Sequence, residues 1–329
     1  MRPEFHIGIL PDRPIAEIAE LAVLAEQLGF AGIWIADSQS LFRDAFDALT
    51  LCAARTTSLA LATGVTNPRT RHLAALAGSF ATIDELSEGR MVLGIGVGES
   101  AVKTLGLRPA RLAELERAAR VLRALLGGEE VEHEGAAIRL TWSKRSIPIV
   151  FASSGPRSLE LAGRIADGVL FQVGADPALV RYALSHIAAG EAEAGRVERT
   201  AKRLVRLACS IDSDRDRARD DVRGYASAAA GTVYSNVPKE DMPEGVWEDM
   251  RAMKEQYDYF EHASSQARHQ ELLTDRVLDA IAIAGTPAEA LPRFRELAAL
   301  EIDGFVVPIT TPDPEETMRL LASEVMVKL

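Results

Sequence analysis

Cysteine and long apolar runs are scarce in this chain of 329 residues. The two cysteines, Cys52 and Cys209, stand far apart in apolar surroundings, which disfavours a disulfide framework and favours a reduced, cytoplasmic protein. No stretch approaches the roughly 18 uninterrupted apolar residues of a membrane span, and the apolar stretch at the N-terminus is too short for a signal peptide. We therefore expect a cytoplasmic protein with no membrane partner.

Positive charge is also in short supply. The chain has 37 Lys and Arg residues against 48 Asp and Glu residues, and its formal net charge is −11. Its basic residues are scattered and form no stripe, so the surface should repel a polyphosphate backbone. We expect a small-molecule substrate and no nucleic-acid partner.

Reactive side chains are missing from the ends of the short apolar runs. No Lys closes such a run, which disfavours a Schiff-base aldolase. No His stands with Asp or Glu at ligand spacing, so no metal site is expected, and His6 is interpreted as an ordinary hydrogen-bonded strand histidine. No GxGxxG fingerprint follows the first run, where ILPDRP stands instead, and this disfavours a nicotinamide-binding open sheet.

What the chain does have is a regular alternation of short apolar runs and amphipathic helical patterns. The runs are apolar on both faces, which is typical of parallel strands covered by helices. Eight such units predict an α/β fold, a closed (βα)₈ TIM-type barrel formed by one domain over 1–329, with the doubly wound open sheet as the competitor. The predicted strands are 5–10, 31–36, 59–65, 90–98, 147–152, 167–173, 203–211 and 303–309.

Two segments interrupt this alternation. Residues 129–140 predict a small hairpin that turns at Glu134-Gly135, outside the main sheet. Residues 224–285 predict a polar, mostly helical insertion after the seventh strand, with many aromatic residues. Long insertions in barrels often cover the site, so this segment is interpreted as a lid, with a peripheral excursion or a dimer surface as the alternative.

In a barrel the functional groups lie where the strands end. Here the strand ends carry glycines, hydroxyls and amides, which offer hydrogen bonds but little reactivity of their own. Such ends suit a cofactor that brings its own chemistry. The strand ends are Asp37-Ser38-Gln39, Gly64-Val65-Thr66-Asn67, Gly96-Val97-Gly98-Glu99-Ser100, Ala152-Ser153-Ser154-Gly155 and Gln172-Val173-Gly174.

Several of these residues have a plain structural interpretation beside the functional one. A buried carboxylate such as Asp37 is unfavourable unless paired, which favours a functional role. The glycines of GIGVG, 94–98, either approach a phosphate or simply end a strand tightly. The segment SSGPRS, 153–158, opens a helix, where its groups either bind an anion or serve as a plain Ser cap. The basic residues of 69–72 are assigned to the start of the next helix and not to catalysis.

Longer segments carry a resemblance to a known family. GVTNPRTRH, followed by ATIDELSEGRMVLGIGVGES, and FASSGPRSLELAGRIADGVLF resemble the bacterial luciferase-like superfamily. Within it the nearest likeness is to the deazaflavin-dependent methylenetetrahydromethanopterin reductases. The resemblance covers the chain from residue 4 to residue 174 and returns near GTPAEALPRF and DGFVVP. It implies a TIM-type barrel that binds a flavin or a deazaflavin at the C-terminal ends of its strands.

The resemblance also implies roles for the strand ends. A cis peptide bond at Gly64-Val65 would lie behind the cofactor ring, and Thr66 and Asn67 would form hydrogen bonds to the ring edge. Asp37 would face the cofactor, which makes Asp37 and Asn67 the catalytic candidates. Gly96 and Gly98 would allow close approach of the cofactor. Its phosphate-bearing tail would be bound by the following strand ends: Ala152, Ser153, Ser154, Gly155, Gln172, Val173 and Gly174.

The function implied is an oxidoreductase in which reduced coenzyme F-420, or a flavin, serves hydride transfer to a small organic substrate. The alternatives are an FMN-dependent two-component monooxygenase, a non-catalytic flavin-binding barrel and a phosphate-binding barrel lyase. A homodimer and a separate cofactor-reducing enzyme are the expected partners. The chain departs from the reductases at Gly8, where they carry an acidic residue, and at Ser38, where they often carry His, so the substrate stays open.

Overall fold

Eight parallel strands close into a barrel in the computed structural model, which describes residues 2–197, 199–255 and 272–329. The order around the barrel is β1-β12-β9-β8-β7-β4-β3-β2, which confirms the predicted TIM-type fold. The strands of the described residues are β1 (Glu4–Ile9), β2 (Gly32–Ile35), β3 (Ala60–Thr63), β4 (Met91–Ile95), β5 (Val131–His133), β6 (Ala136–Ile138), β7 (Ile149–Ser153), β8 (Gly168–Phe171), β9 (Lys202–Arg206), β10 (Ala208–Ile211), β11 (Ala282–Gly285) and β12 (Gly304–Pro308).

Helices follow the barrel strands and cover their outer face. Their starts carry the expected signals: the Asp44 carboxylate accepts hydrogen bonds from backbone N–H groups of the first turn it caps, and Pro156 occupies a first helical position. No helix in the described ranges is long and apolar enough to cross a membrane. The helices are α1 (Ile15–Gln27), α2 (Ala45–Arg55), α3 (Leu73–Leu86), α4 (Ser100–Lys103), α5 (Leu112–Leu126), α6 (Pro156–Ile165), α7 (Pro177–Glu193), α8 (Arg215–Asn236), α9 (Val246–Lys254), α10 (Asp275–Ile281), α11 (Pro287–Ala298) and α12 (Pro314–Leu320), the last continued by a π-helical turn at Leu321–Met326.

The barrel interior is filled by one aromatic side chain and a ring of smaller ones. Trp34 packs there with Ala62, Val150, Leu170, Leu204 and Val306. Glycine at position 94 makes room for the indole, since a Cβ atom there would lie 3.0 Å from Trp34 Cζ3 and 2.0 Å from the carbonyl oxygen of Thr63. The barrel is therefore a packed core, and any ligand site must lie above it.

A polar cluster occupies the N-terminal end of the barrel. The His6 ring lies 3.1 Å from Glu4 Oε2, which also accepts from Lys202 Nζ at 2.6 Å. Burial lowers the pKa of His6, while its hydrogen bond to Glu4 outweighs burial there and lowers the pKa of Glu4 to about 2. His6 is thus the ordinary hydrogen-bonded strand histidine that the sequence predicted.

The predicted strand 203–211 is wrong as a single element. The barrel strand β9 ends at Arg206, and Ala208–Ile211 forms β10, which pairs with β11 outside the barrel. Apart from Lys202 and Arg206, the residues of both strands are buried, so burial continues where the chain leaves the barrel. Strand β11 lies in the segment that was predicted to be mostly helical. The hairpin over 129–140 is confirmed as the antiparallel pair β5 and β6.

A buried ion pair ties β9 to helix α7. Arg203 Nη2 lies 3.0 Å from Glu191 Oε2, and the two side chains are 4% and 2% exposed. The same carboxylate accepts backbone N–H groups from Arg199 and Ala201, at 3.2 and 2.9 Å. The carboxylate of Glu191 therefore anchors both β9 and the turn that leads into it. Because β9 is anchored, the position of Arg206 at its other end is fixed as well.

Replacing Glu191 by Ala should lower the free energy of unfolding by about 3–5 kcal/mol, because Arg203 would remain as a buried unpaired charge. Urea denaturation followed by circular dichroism measures the loss. Glu116→Ala is the matched control, since it removes an i,i+4 ion-pair partner on the surface of α5 and should change the same free energy by about 0.5 kcal/mol or less. Equal losses in the two variants would contradict the anchoring role of Glu191.

Candidate active site

A cavity of about 780 Å³ lies at the C-terminal ends of the barrel strands. This volume falls within the range of roughly 300–1,000 Å³ that is usual for small-molecule and cofactor sites. The peptide bond between Gly64 and Val65, on its wall, is cis, as the resemblance implied. The sequence-predicted residues that line the cavity are Asp37, Gly64, Val65, Asn67, Gly96, Gly98, Ala152, Ser153, Ser154, Gly155 and Gln172.

Three of the predicted residues stand behind this lining in the described structure. Thr66 is fully buried and its hydroxyl bonds to Asp37 instead of facing the cavity. Val173 is also fully buried. Gly174 has a left-handed φ of 106° and packs against α10, where a Cβ atom would lie 2.6 Å from the carbonyl oxygen of Ala280. These residues therefore support the wall without forming its surface.

The carboxylate of Asp37 is the most buried charge of the site, with its side chain 1% exposed. Its Oδ2 atom accepts from Thr66 Oγ1 and from Arg71 Nη1, both at 2.6 Å. Arg71 also binds Asp44, the cap of α2, at 2.7 Å. Burial acts to lower the pKa of Arg71, but the hydrogen bonds and charges of both carboxylates outweigh it and raise that pKa above its usual value. Arg71 was predicted only to begin a helix, and the structure makes it the counter-ion of Asp37.

Asn67 presents an unused hydrogen-bond donor. Its Oδ1 atom accepts the backbone N–H groups of Arg69 and Thr70, at 2.9 and 3.1 Å, which fixes the orientation of the amide. Its Nδ2 atom is buried and has no hydrogen-bond partner among the described residues. A buried donor without a partner is unfavourable by about 1–3 kcal/mol. Because Asn67 lines the cavity, a bound acceptor would satisfy it.

The glycines after β4 are required by the structure as well as by close approach. Gly98 has a φ of 83°, and a Cβ atom there would lie 2.4 Å from Val102 Cγ2 and 3.1 Å from the Cβ of Asn67. A Cβ atom at Gly96 would lie 3.3 Å from both Ala152 and Val65. A side chain at either position would therefore press on the wall of the cavity, so packing requires both glycines, and close approach of a phosphate stays a prediction.

A guanidinium group that the sequence did not single out reaches the cavity from β9. Arg206 donates from Nη1 to the carbonyl oxygen of Gly64 at 2.9 Å and from Nε to Tyr225 Oη at 2.6 Å. The Tyr225 hydroxyl in turn lies 3.5 Å from Gln172 Oε1, and burial raises the pKa of that hydroxyl. No carboxylate lies within ion-pair distance of Arg206 in the part of the chain that is described. A usable signal was present, since Arg206 follows Leu204 on the face that points into the barrel.

The start of helix α6 forms another wall of the cavity. Its N-cap is Gly155, which makes no side-chain cap bond, so the interpretation of a Ser as cap is wrong. The Ser153 and Ser154 hydroxyls donate instead to backbone carbonyl groups, at 3.1 and 2.9 Å. Arg157 in the first turn is exposed and lines the cavity without a carboxylate partner among the described residues. The positive end of the helix dipole and this cation fit an anion.

Comparison with known proteins agrees with the fold. The family model described as luciferase-like monooxygenase matches residues 3–304. The 5,10-methylenetetrahydromethanopterin reductase of Methanolobus tindarius is 32% identical over 98% of this chain and 99% of its own. The F420-dependent glucose-6-phosphate dehydrogenase of Nakamurella multipartita is 34% identical over 65% of this chain and 69% of its own.

A solved structure gives the same result. The coenzyme F420-dependent tetrahydromethanopterin reductase of Methanopyrus kandleri superimposes with a TM-score of 0.81 and is 26% identical, covering 100% of this chain and 99% of its own. Because the family model and the Methanolobus tindarius reductase align with nearly all of the chain, the protein belongs to the bacterial luciferase-like family and is an oxidoreductase, as its sequence motifs implied.

Proposed function

We propose that the protein uses reduced coenzyme F-420, a deazaflavin, for hydride transfer to a small organic substrate. Two relatives that cover nearly all of the chain are reductases, and another relative is an F420-dependent dehydrogenase. The observation that carries the proposal is the unpartnered Nδ2 of Asn67, buried at a cavity that Gly64, Gly96 and Gly98 also line. A flat ring can lie close to a wall that has no side chains, and acceptor atoms at the edge of such a ring can bind the donor of Asn67.

The residues of the cavity orient the ring and leave the reactivity to it. When bound, the deazaflavin supplies the hydride. Asn67 Nδ2 donates to an acceptor on the ring edge, and Gly64 and Val65 form the wall behind it. Asp37 keeps its Oδ1 free of hydrogen bonds from the described residues, because Thr66 and Arg71 both bind Oδ2, and this oxygen accepts a proton or a hydrogen bond from the ligand.

The anionic tail of the cofactor is assigned to the start of α6. Arg157 offers a cation there, and the helix start offers backbone N–H groups and the positive end of its dipole. Thr232, Ser235 and Asn236 of α8 also line the cavity, but their hydroxyl and amide groups donate to backbone carbonyl groups of α8. This arrangement therefore holds a phosphate mainly by charge.

We propose that the segment 224–285 covers the cavity. Helix α8 supports this role, because Tyr225, Ala228 and the polar residues after it line the cavity wall. The aromatic and histidine residues that suggested a lid from the sequence fall partly outside the described residues: Tyr257, Tyr259, Phe260, His262 and His269. Exclusion of water by this segment would strengthen the electrostatic contacts to the ring.

A cytoplasmic homodimer that works with a separate cofactor-reducing enzyme completes the proposal. Three exposed apolar side chains support a contact between copies of the chain, namely Leu105, Leu107 and Trp142, which are 49%, 48% and 53% exposed. Leu105 and Leu107 are two residues apart in the sequence, and exposed apolar patches often mark a contact with another protein. The lack of a nicotinamide fingerprint fits a cofactor that is reduced elsewhere.

Parallel titrations with coenzyme F-420 and FMN test the choice of cofactor, followed by ring absorbance or fluorescence of the purified protein. We expect F-420 to bind at least about tenfold more tightly, which corresponds to about 1.4 kcal/mol. Preferential binding of FMN would replace the proposal with a two-component monooxygenase. The oxygenating component of 3,6-diketocamphane monooxygenase in complex with FMN shares the fold, with a TM-score of 0.70 and 17% identity. Binding of neither cofactor would overturn the assignment.

The variant Asn67→Asp isolates the donor of Asn67. It keeps an oxygen for the N–H groups of Arg69 and Thr70 but replaces Nδ2 by an acceptor. We expect F-420 to bind about tenfold or more weakly. The new carboxylate is buried, so the midpoint of thermal unfolding without ligand should also fall, and circular dichroism at the titration temperature checks that the variant is folded. Asn67→Ala, which loses both functions, should weaken binding and also lower that midpoint. Unchanged affinity in Asn67→Asp would contradict the assigned hydrogen bond.

The variant Arg157→Ala tests the tail site. It should weaken binding of F-420 about tenfold and leave unchanged the binding of the corresponding deazariboflavin, which has the ring but no phosphate. Arg108→Ala removes the same charge from an exposed position outside the cavity lining and should affect neither ligand. Equal losses for both ligands in Arg157→Ala would place the cation at the ring and contradict its role in holding the tail.

A further inference from the structure

A second cluster of ligand-type side chains lies outside the cavity, where the start of α3 meets the hairpin of β5 and β6. The Nε2 atom of His72 lies 4.0 Å from Glu134 Oε2, and the Nε2 atom of His133 lies 3.8 Å from Glu134 Oε1. The three ligand atoms all lie within 4.8 Å of one another. The two imidazole rings meet edge to face, with centroids 5.4 Å apart. Two imidazoles and one carboxylate thus converge on one point.

This donor set is one that Zn²⁺ prefers. Zinc holds imidazole nitrogen and carboxylate oxygen at about 2.0–2.2 Å in a tetrahedron, so neighbouring ligand atoms are separated by about 3.3 Å. The ligand atoms therefore need to move closer together only by the difference between their present separations and this value. The side chains of His72 and Glu134 are 48% and 72% exposed, which leaves both free to adjust. No Lys or Arg forms an ion pair with Glu134 among the described residues, so no side-chain cation competes for its carboxylate.

We propose that His72, His133 and Glu134 form a zinc site, with water in the remaining coordination position. The sequence could not show it by spacing, because His72 and the hairpin are separated by α3, β4, α4 and α5. The expectation of no metal site rested on that spacing alone. The proposal is independent of the cofactor, since none of these residues lines the cavity.

The site would connect the hairpin to the loop that shapes the cavity. His72 directly follows Arg71, the counter-ion of Asp37, and ends the loop that contains Asn67. Nδ1 of His72 accepts the backbone N–H of Ala74 at 3.2 Å, which caps α3. Coordination through Nε2 puts the ring proton on Nδ1, so zinc binding exchanges this cap bond for a metal bond. Zinc would thereby fix the loop from outside the cavity.

Competition against a chromophoric chelator measures the affinity of the tag-free protein for Zn²⁺. We expect one equivalent to bind, and we expect His133→Ala, His72→Ser and Glu134→Asn each to weaken binding at least about tenfold. Ser at position 72 keeps a good N-cap, and Asn suits the left-handed φ of 54° at position 134, so both variants should fold. Circular dichroism of the metal-free variants checks this.

His186→Ala is the matched control. His186 is a partly exposed histidine that lies 2.8 Å from Glu160 Oε1, but no second imidazole joins this pair in the described residues. The variant His186→Ala should bind Zn²⁺ with the same affinity as the unchanged protein. Equal loss in His186→Ala, or full zinc affinity in both His133→Ala and His72→Ser, would overturn the site and place the binding elsewhere on the chain.

Amide hydrogen exchange with and without Zn²⁺ tests the connection between the two segments. We expect exchange to slow at least about threefold in 131–138 and in 66–72 when zinc is added, and to stay unchanged in Glu134→Asn. Slower exchange in the hairpin alone would overturn the proposed hold on the loop.

Discussion

A buried carboxylate must have a cation beside it, and around Asp37 this requirement joins three separate segments of the chain. Arg71 reaches both Asp37, after β2, and Asp44, at the start of α2, while Thr66 comes from the loop after β3. An unpaired charge at that depth would destabilise the protein by several kcal/mol. The loop therefore has one favourable placement, and Asn67 takes its orientation within that loop. The geometry of the site follows from this ion pair.

Much of the barrel could be predicted because its information is local. Each strand is a short run buried on both faces, and each helix has one apolar face, so the period of the pattern identifies the element. The error at 203–211 shows the limit of local information. Arg206 interrupts the run where β9 ends, but the partner that draws β10 out of the barrel, β11, lies about 75 residues further along the chain.

The strand ends pointed to the cavity because parallel strands bring their C-terminal ends together wherever they lie in the sequence. The directions of individual side chains were harder to predict. Arg71 looked like part of a helix start, and only its placement beside two carboxylates shows its role. The contact between Arg206 and Tyr225 joins a strand to a helix of the insertion, and no periodicity within either segment could have revealed it.

The tryptophan inside the barrel gives the protein a built-in optical probe. Trp34 packs directly against Gly64, since a Cβ atom at that glycine would lie 2.9 Å from the Cβ of Trp34, and Gly64 forms part of the cavity wall. Trp34 is 3% exposed and Trp142 is 53% exposed, and the third tryptophan, Trp247, is partly buried, so Trp34 should emit at the shortest wavelength of the three. A flavin-type ring absorbs where a buried indole emits. Quenching at the blue edge of the emission would thus report occupancy of the cavity without any label.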